Sequence, residues 1–373
     1  MGQKIGLLTT GGDSPGINAA LRAIGKALLN EPGTELIGFQ DGFSGMLNNM
    51  VEDLQNPMFS GILTTGGTIL GTNRDRPDHI LVDGKYQNRT AEIVAAYRSH
   101  KLDGLVCLGG SDAQDSAALL MREGLNLITV PVTIDNDIPH TDTTVGFNTA
   151  LEVAAEAIDR LHSTAISHHR IIIVEIMGRD SGWLTLGAGI AGGADVILIP
   201  EIPYHMEKIS AAIQDRASHG KRFSLVAVSE GAISIENVEF FENARRANLR
   251  IRASDDAANV SARLDQIEKR AAGDTMHLAN RLENFTGLQT RVTILGYLLR
   301  GGAPSAVDRV LATQLGTACA KFVQQGIFGV MVAQRGGGVE PVALDLVAGM
   351  VKSLPADHAW IHGARMVGTR LGD

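Results

Sequence analysis

The stretch PVTIDNDIPHTDTT, residues 131–144, sets Asp135, Asp137 and Asp142 among Thr133, Thr141, Thr143 and Thr144, directly after the apolar run LNLITV. On an extended segment residues two apart share a face, so Thr133, Asp135 and Asp137 would line one side. Asx turns and helix caps explain many such clusters. Three facing polar side chains after a buried strand are more than a cap needs. One carboxylate suits a general base acting on a hydroxyl, and another suits Mg2+ through oxygen ligands.

Other parts point to phosphate. TTGGDSPGINAALRA reads as a strand, a loop with Gly11, Gly12 and Gly16, and an Ala-rich helix. Backbone N–H groups at such a loop and helix start cradle an anion. It is not a P-loop, because no Lys-Ser or Lys-Thr follows Gly16. Arg74, Arg179, Arg291 and Arg300 each sit beside glycines or at a strand end, and Arg170 follows the adjacent His168 and His169. Arginine forks match phosphate oxygens. Cradle, metal, base and arginine clamps are together the apparatus of phosphoryl transfer. GAGIAGG at 187–193 fits a dinucleotide fingerprint letter by letter, but it precedes a strand where the fingerprint should follow one. Its small residues are read instead as letting a helix approach a sheet closely.

The elements that must hold these residues are legible as short apolar runs, among them IGLLTT, GLVCLGG, LITVPVT, RIIIVEIMG, SLVAVSE, RVTILGY and FGVMVAQ. Near-continuous Val, Ile and Leu suits strands buried on both faces, and the intervening helical patterns imply α/β architecture with mostly parallel sheets. A chain of 373 residues with that many strands implies two domains. A formal charge of −8 argues against a nucleic-acid or membrane surface as partner. Two cysteines, Cys107 and Cys319, lack metal spacing and imply a reducing compartment. With no signal-like start and no run long enough to cross a bilayer, the expected location is cytoplasmic.

The long, ordered motifs LTTGGDSPGINAALR, GGTILGTNR, LVCLGGSDA, PVTIDNDIPHTDTTVGFNTA, SHHRIIIVEIMGRDSGWLTL, AGIAGGADVILIPE, VSEGA and VTILGYLLRGGAPSAVDR resemble the phosphofructokinase family. The resemblance implies two Rossmann-like three-layer α/β domains. It implies Mg2+-dependent phosphoryl transfer to the 1-hydroxyl of fructose 6-phosphate, a step of glycolysis and gluconeogenesis. Asp135 would be the base, with Thr133 and Arg179 beside the transferring group and Asp137 with Ser111 at the metal. Arg170, Met177, Glu230, Arg291, Tyr297 and Arg300 would hold the sugar phosphate. Gly11, Arg74, Gly110, Ser111, Asp112 and Val132 would face the donor. Arg170 and Arg291 would reach in from a neighbouring subunit, implying a homodimer or homotetramer with shared active sites. The expected domains are 1–146 with about 289–304 for the donor and 147–232 with about 305–350 for the sugar. A charged helical insertion at 233–288 and a C-terminal extension at 351–373 complete the division.

Four positions depart from the family pattern. GGSDA stands where ATP-using members carry GGDGS, so Ser111 replaces an Asp and Asp112 a Gly. An aspartate there resembles pyrophosphate-using members, because it would crowd and repel the α-phosphate of ATP. Val132 stands where those members have Lys, and Tyr297 replaces the usual His before Arg-Gly-Gly. The expectation leans to pyrophosphate over ATP. The alternative is a catalytically degenerate member that binds sugar phosphate in a regulatory role.

Overall fold

The computed structural model describes residues 2–82, 84–238 and 275–373. These form two compact units, Met1–Ala150 with Arg300–Lys352, and Leu151–Leu299 with Ser353–Asp373.

The first unit opens with strand β1 (Lys4–Thr10), helix α1 (Ile17–Leu29), β2 (Glu35–Phe39), α2 (Gly42–Leu47) and β3 (Val51–Asp53). A small antiparallel hairpin, β4 (Ile80–Val82) and β5 (Lys85–Gln87), precedes α3 (Thr90–Ser99). Then come β6 (Gly104–Gly109), α4 (Ser111–Arg122), β7 (Leu127–Thr133) and β8 (Val145–Gly146). Helix α5 (Phe147–His168) leads into the second unit, which contains β9 (Ile171–Ile176), α6 (Trp183–Ala191), β10 (Val196–Leu198), α7 (Met206–Ser218), β11 (Ser224–Ser229), a helical stretch at 275–286 and β12 (Thr290–Ile294). The chain then returns to the first unit for α8 (Ala306–Gln324), β13 (Val330–Arg335) and β14 (Gly338–Ala343), and α9 (Ala359–Met366) falls in the second.

The large sheet runs β14-β13-β7-β6-β1-β2-β3, with β8 alongside β7. Its inner strands are parallel, and β3 and β14 are antiparallel edges. Alternation along each strand feeds two cores. Val106 and Leu108 pack with Ile17, Leu21 and Ile24 of α1 and Leu311, Leu315 and Val323 of α8. Leu105 and Cys107 pack with Phe43 of α2, Ile93 and Tyr97 of α3, and Leu120 of α4. Truncating any of these buried Leu or Ile side chains to Ala would cost about 2–5 kcal/mol. Pro131 has no N–H to give. β13 pairs with β7 at Ile128 and Thr129, before that proline, while β8 pairs with Val132 and Thr133 beyond it.

The second unit has a four-stranded parallel sheet, β10-β11-β9-β12. In α6 a Cβ added at Gly189 would lie 2.6 Å from Ile197 Cδ1 on β10. Close helix-to-sheet approach is therefore the role of GAGIAGG, as its misplaced fingerprint implied.

Strand pairing corrects the expected domain limits. Residues 289–299 belong with the second unit, because β12 pairs in register with β9 (Thr290 with Ile171, Ile294 with Glu175). Residues 305–350 belong with the first, because α8 covers its sheet and β13 extends it. Two interchangeable apolar strands carry no sequence mark of which sheet they join. The 351–373 segment is not an appendage: Arg370 bridges to Val196, and Trp183, His358 and Trp360 pack edge to face. Of the expected insertion, 239–274 lie outside the described residues. Its last part is not purely solvated, since Leu278, Ala279 and Leu282 are buried in the second unit's core.

Candidate active site

In an open parallel sheet the ligand crevice lies at the carboxyl ends of the strands where chain order reverses. Here β1 is followed by β2 on one side, while β6 flanks it on the other, so the reversal falls between β1 and β6. Thr10, Gly11 and Gly12 leave β1 there, and Gly109, Gly110 and Ser111 leave β6. The two loops nearly touch: a Cβ built at Gly11, whose φ is 97°, would lie 3.9 Å from the Gly110 amide nitrogen. Ser111 opens α4, so unbonded amides of a helix start face the same crevice.

Arg74 joins this group through its neighbours. Gly11 N–H donates to the Asn73 carbonyl at 2.7 Å and the Thr72 hydroxyl donates to the Gly11 carbonyl at 3.0 Å. Arg300 joins it as well. Its Nη1 donates to the Asp13 carbonyl at 3.0 Å, and its guanidinium occupies the space that a side chain at position 12 would need. Arg300 thus belongs to the first unit, beside the glycine loop.

Thr133 ends β7 next to the same crevice, with its Cβ 3.5 Å from a Cβ built at Gly110. Its hydroxyl accepts from the Asp135 amide at 3.2 Å, which turns the chain sharply out of the strand. Asn136, between the two aspartates, is left-handed (φ 51°). Its carboxamide is a knot: Oδ1 accepts from Thr144 N–H at 3.1 Å and Nδ2 donates to the Asp142 carbonyl at 3.5 Å. Asp142 does not turn toward Asp135 and Asp137. Its Oδ2 accepts from Gly336 N–H at 2.7 Å, which ties the loop to the turn between β13 and β14.

Lys352 crosses this loop from far along the chain. Its ammonium donates to Asn136 Oδ1 at 3.3 Å, to the Thr141 carbonyl at 2.9 Å and to the Asp142 carbonyl at 2.8 Å. Its amide donates to the Asp137 carbonyl at 2.7 Å. Burial pushes the Lys352 pKa down to about 8, with Asp142 and Asp137 pulling the other way.

One residue expected at the donor is corrected, and another gains a partner. Val132 is 1% exposed and belongs to the apolar core beside Ile128 and Val130, so its side chain presents nothing to a donor. Asp112, in the first turn of α4, is not a bare negative charge. One oxygen lies 3.9 Å from Arg76 Nη1, and Arg76 also pairs with Asp78 at 3.2 Å and Asp115 at 3.1 Å. Burial works against the guanidinium, but Asp78, Asp115 and Asp112 together leave its pKa raised. The charge of Asp112, on which the pyrophosphate expectation rested, thus has a nearby cation, shared with Asp78 and Asp115 at shorter distances.

In the second unit Met177 follows β9 and Glu230 follows β11, neighbouring strands in register. Arg179 is in the same turn as Met177; its carbonyl approaches Gly231, next to Glu230. Glu230 N–H donates to the Ile176 carbonyl at 2.9 Å. Tyr297, just after β12, is 79% exposed. Below them, burial raises the Glu175 pKa, a hydrogen bond from Thr275 lowers it, and the Glu230 charge raises it.

Arg170 and Arg291 stand at the other end. Arg170 precedes β9, where its Nε donates to Gln289 Oε1 at 3.1 Å, and Arg291 pairs with Ile172 at the start of that strand. At about 3.3 Å per residue, the strand separates Arg291 from the level of Met177 by roughly 17 Å and Arg170 by roughly 23 Å. The structure therefore groups Met177, Arg179 and Glu230 but not Arg170 and Arg291.

Sequence reasoning missed Arg76, Asn136 and Lys352. Asn136 lies inside a quoted motif, and Arg76 lies two residues past the end of another, GGTILGTNR, where a second Arg was available as a signal. Lys352 is more than 200 residues from its partners and had no signal.

Among the described residues, no cluster of three or more His, Cys, Asp or Glu side chains could hold a metal. Mg2+ does not need one, because it takes one or two carboxylates and completes its shell with water and substrate phosphates. Asp135 and Asp137, each with a buried carboxylate oxygen, and the Ser111 hydroxyl are a donor set of that kind.

A family model described as Phosphofructokinase matches residues 4–323. The chain is 54% identical over 378 residues to a protein of Propionibacterium freudenreichii subsp. shermanii named ATP-dependent 6-phosphofructokinase, covering 100% of both chains. It is 45% identical over 375 residues to one of the same name from Spirochaeta thermophila, covering 100% of this chain and 98% of the relative. The solved structure of a pyrophosphate-dependent phosphofructokinase from Marinobacter aquaeolei superposes with a TM-score of 0.76 at 22% identity, over 99% of this chain and 88% of that one. That likeness shows the fold. The preference for pyrophosphate is not supported, since both of these sequence relatives are named for ATP.

Proposed function

The chain belongs to the phosphofructokinase family, and from that premise we propose that it transfers the γ-phosphoryl group of ATP to the 1-hydroxyl of fructose 6-phosphate. The observation that carries the reading is the convergence of the Gly11 loop, the start of α4 and the Thr133–Asp137 turn at the β1/β6 crevice. In the reaction Asp135 takes the proton of the sugar hydroxyl as its oxygen bonds to phosphorus. The bond from phosphorus to the β–γ bridging oxygen breaks, and ADP leaves. The amides of the Gly11 loop and of Ser111 bind donor phosphates, with Arg74 adding charge. Asp137 and the Ser111 hydroxyl would hold Mg2+, which neutralises phosphate charge when bound. Thr133 and Arg179 orient the transferring group, and Met177, Glu230, Tyr297 and Arg300 bind the sugar phosphate.

Arg170 and Arg291 act on a neighbouring subunit's sugar phosphate in this reading. Their distance along β9 and β12 from Met177 and Glu230 supports that role, in a homodimer or homotetramer. The Arg76–Asp112 pair supports ATP in spite of the GGSDA motif. A cytoplasmic place in glycolysis follows from the same reading.

The test offers fructose 6-phosphate and Mg2+ to the purified protein with ATP or pyrophosphate in parallel, following fructose 1,6-bisphosphate. Turnover with ATP is expected to exceed that with pyrophosphate. The reverse order would return Asp112 to the role of donor gate.

A further inference from the structure

We propose that Lys352 is a positioning residue for the phosphoryl transfer: its ammonium fixes the irregular loop that carries Asp135 and Asp137. The inference rests on the assignment of Asp135 as base. Residues 134–144 form no helix or strand, so what sets their shape is turn geometry and side-chain bonds. Two positions in the segment, Asn136 at φ 51° and His140 at φ 62°, are left-handed non-glycine residues that such bonds must hold in place. A lysine ammonium has three hydrogens. Here it donates to Asn136 Oδ1, the Thr141 carbonyl and the Asp142 carbonyl. A fourth bond from the same residue, its amide to the Asp137 carbonyl, ties the loop from beneath. Asn136, the residue between the two catalytic candidates, is thereby held from both sides.

Charge points the same way. The loop concentrates Asp135, Asp137 and Asp142, and among the described residues Lys352 is the cation whose ammonium bonds directly to this loop's oxygens. Two of the ammonium's bonds go to backbone carbonyls of the turn, those of Thr141 and Asp142. The ammonium also comes from beyond residues 4–323, the span that matches the family model. The segment that delivers it is anchored in turn, since Gly349 N–H donates to Asp115 Oδ1 at 2.6 Å.

A loop released by an ångström costs catalysis, not sugar binding, so the readout is a split between kcat and KM. Lys352→Met is expected to lower kcat about 10- to 100-fold and to leave the KM for fructose 6-phosphate within about 2-fold. Lys352→Arg, which keeps a cation with several donors, should recover most of the loss. Thermal melting by circular dichroism checks that the variants are folded. Should Lys352→Met fail to fold, Lys352→Gln carries the same expectation. If neither neutral variant folds, or if a folded one turns over at the normal rate, the inference is overturned. Asp135→Asn, assayed alongside, separates the two readings. An active Asp135→Asn removes the base assignment, whereas an inactive Asp135→Asn beside a fully active Lys352→Met removes only the role of Lys352.

Discussion

In the first unit Gly11, Ser111, Thr133, Asp135 and Asp137 gather at the carboxyl ends of adjacent strands, braced from behind by Lys352 and the β13–β14 turn. In the second unit Met177 and Glu230 hold the carboxyl ends while Arg170 and Arg291 lie a strand's length away. On the proposed reading, one half of the machinery is self-contained within a chain and the other is divided between subunits. A residue in the first half should therefore fail alone. One in the divided half should be open to repair by a second copy.

The largest effect expected is from Asp135→Asn, which should lower kcat about 10²- to 10⁴-fold with little change in fructose 6-phosphate affinity by calorimetry. Near-normal turnover would break the first half of the comparison. Next, Arg291→Ala should raise the KM for fructose 6-phosphate by about 10- to 100-fold, as loss of a charged hydrogen bond of about 1.5–3 kcal/mol implies. Mixing Arg291→Ala with Asp135→Asn under subunit exchange should regenerate a fraction of the activity, because some pockets in the hybrid draw both residues from intact copies. Mixtures as inactive as their parents would sink the divided-site reading.

A smaller shift is expected at Arg76. Arg76→Met frees the Asp112 charge and should lower kcat/KM for ATP by about 3- to 10-fold, whereas Asp112→Gly should change it by less than about 3-fold, as a half-exposed ion pair of up to about 1 kcal/mol implies. A large gain for Asp112→Gly would mean that the cation does not offset the carboxylate.

The smallest effect is on stability. Burial raises the Glu175 pKa in the folded protein. Its carboxyl is accommodated in full below the ordinary glutamate range, and that contribution is lost as pH rises through the raised value. Glu175→Gln should then melt about 1–3 °C higher than wild type at pH 7 and no differently at pH 4. Equal melting at both pH values would mean that Glu175 is not strained by burial.

The site's local pieces were legible because each is written in consecutive residues. TIDND follows its own strand, and the glycine loop precedes its own helix, so spacing alone places Thr133, Asp135 and Gly11. The parallel α/β architecture was legible in the same way. Pairings across great separation were not. β12 and β13 are equally apolar, and only the partner each finds, β9 or β7, decides its unit. Val132 looked like a lost cation because its position was read from a motif, whereas alternation along β7 turns that side chain into the core. Asp112 was read without its counter-ion, since Arg76 is 36 residues upstream.

The late arrival of β13 has a consequence for how the protein is made. β7 ends at Thr133, and the strand that completes its flank begins only at Val330. At bacterial or eukaryotic elongation speeds of roughly 5–20 residues per second, that partner emerges some 10–40 s later. Throughout that interval the nascent sheet has an open apolar edge beside the future catalytic loop, and α8 is not yet present to cover the face of α1. Newly synthesised chains should therefore depend on chaperones more than the stability of the finished fold would suggest.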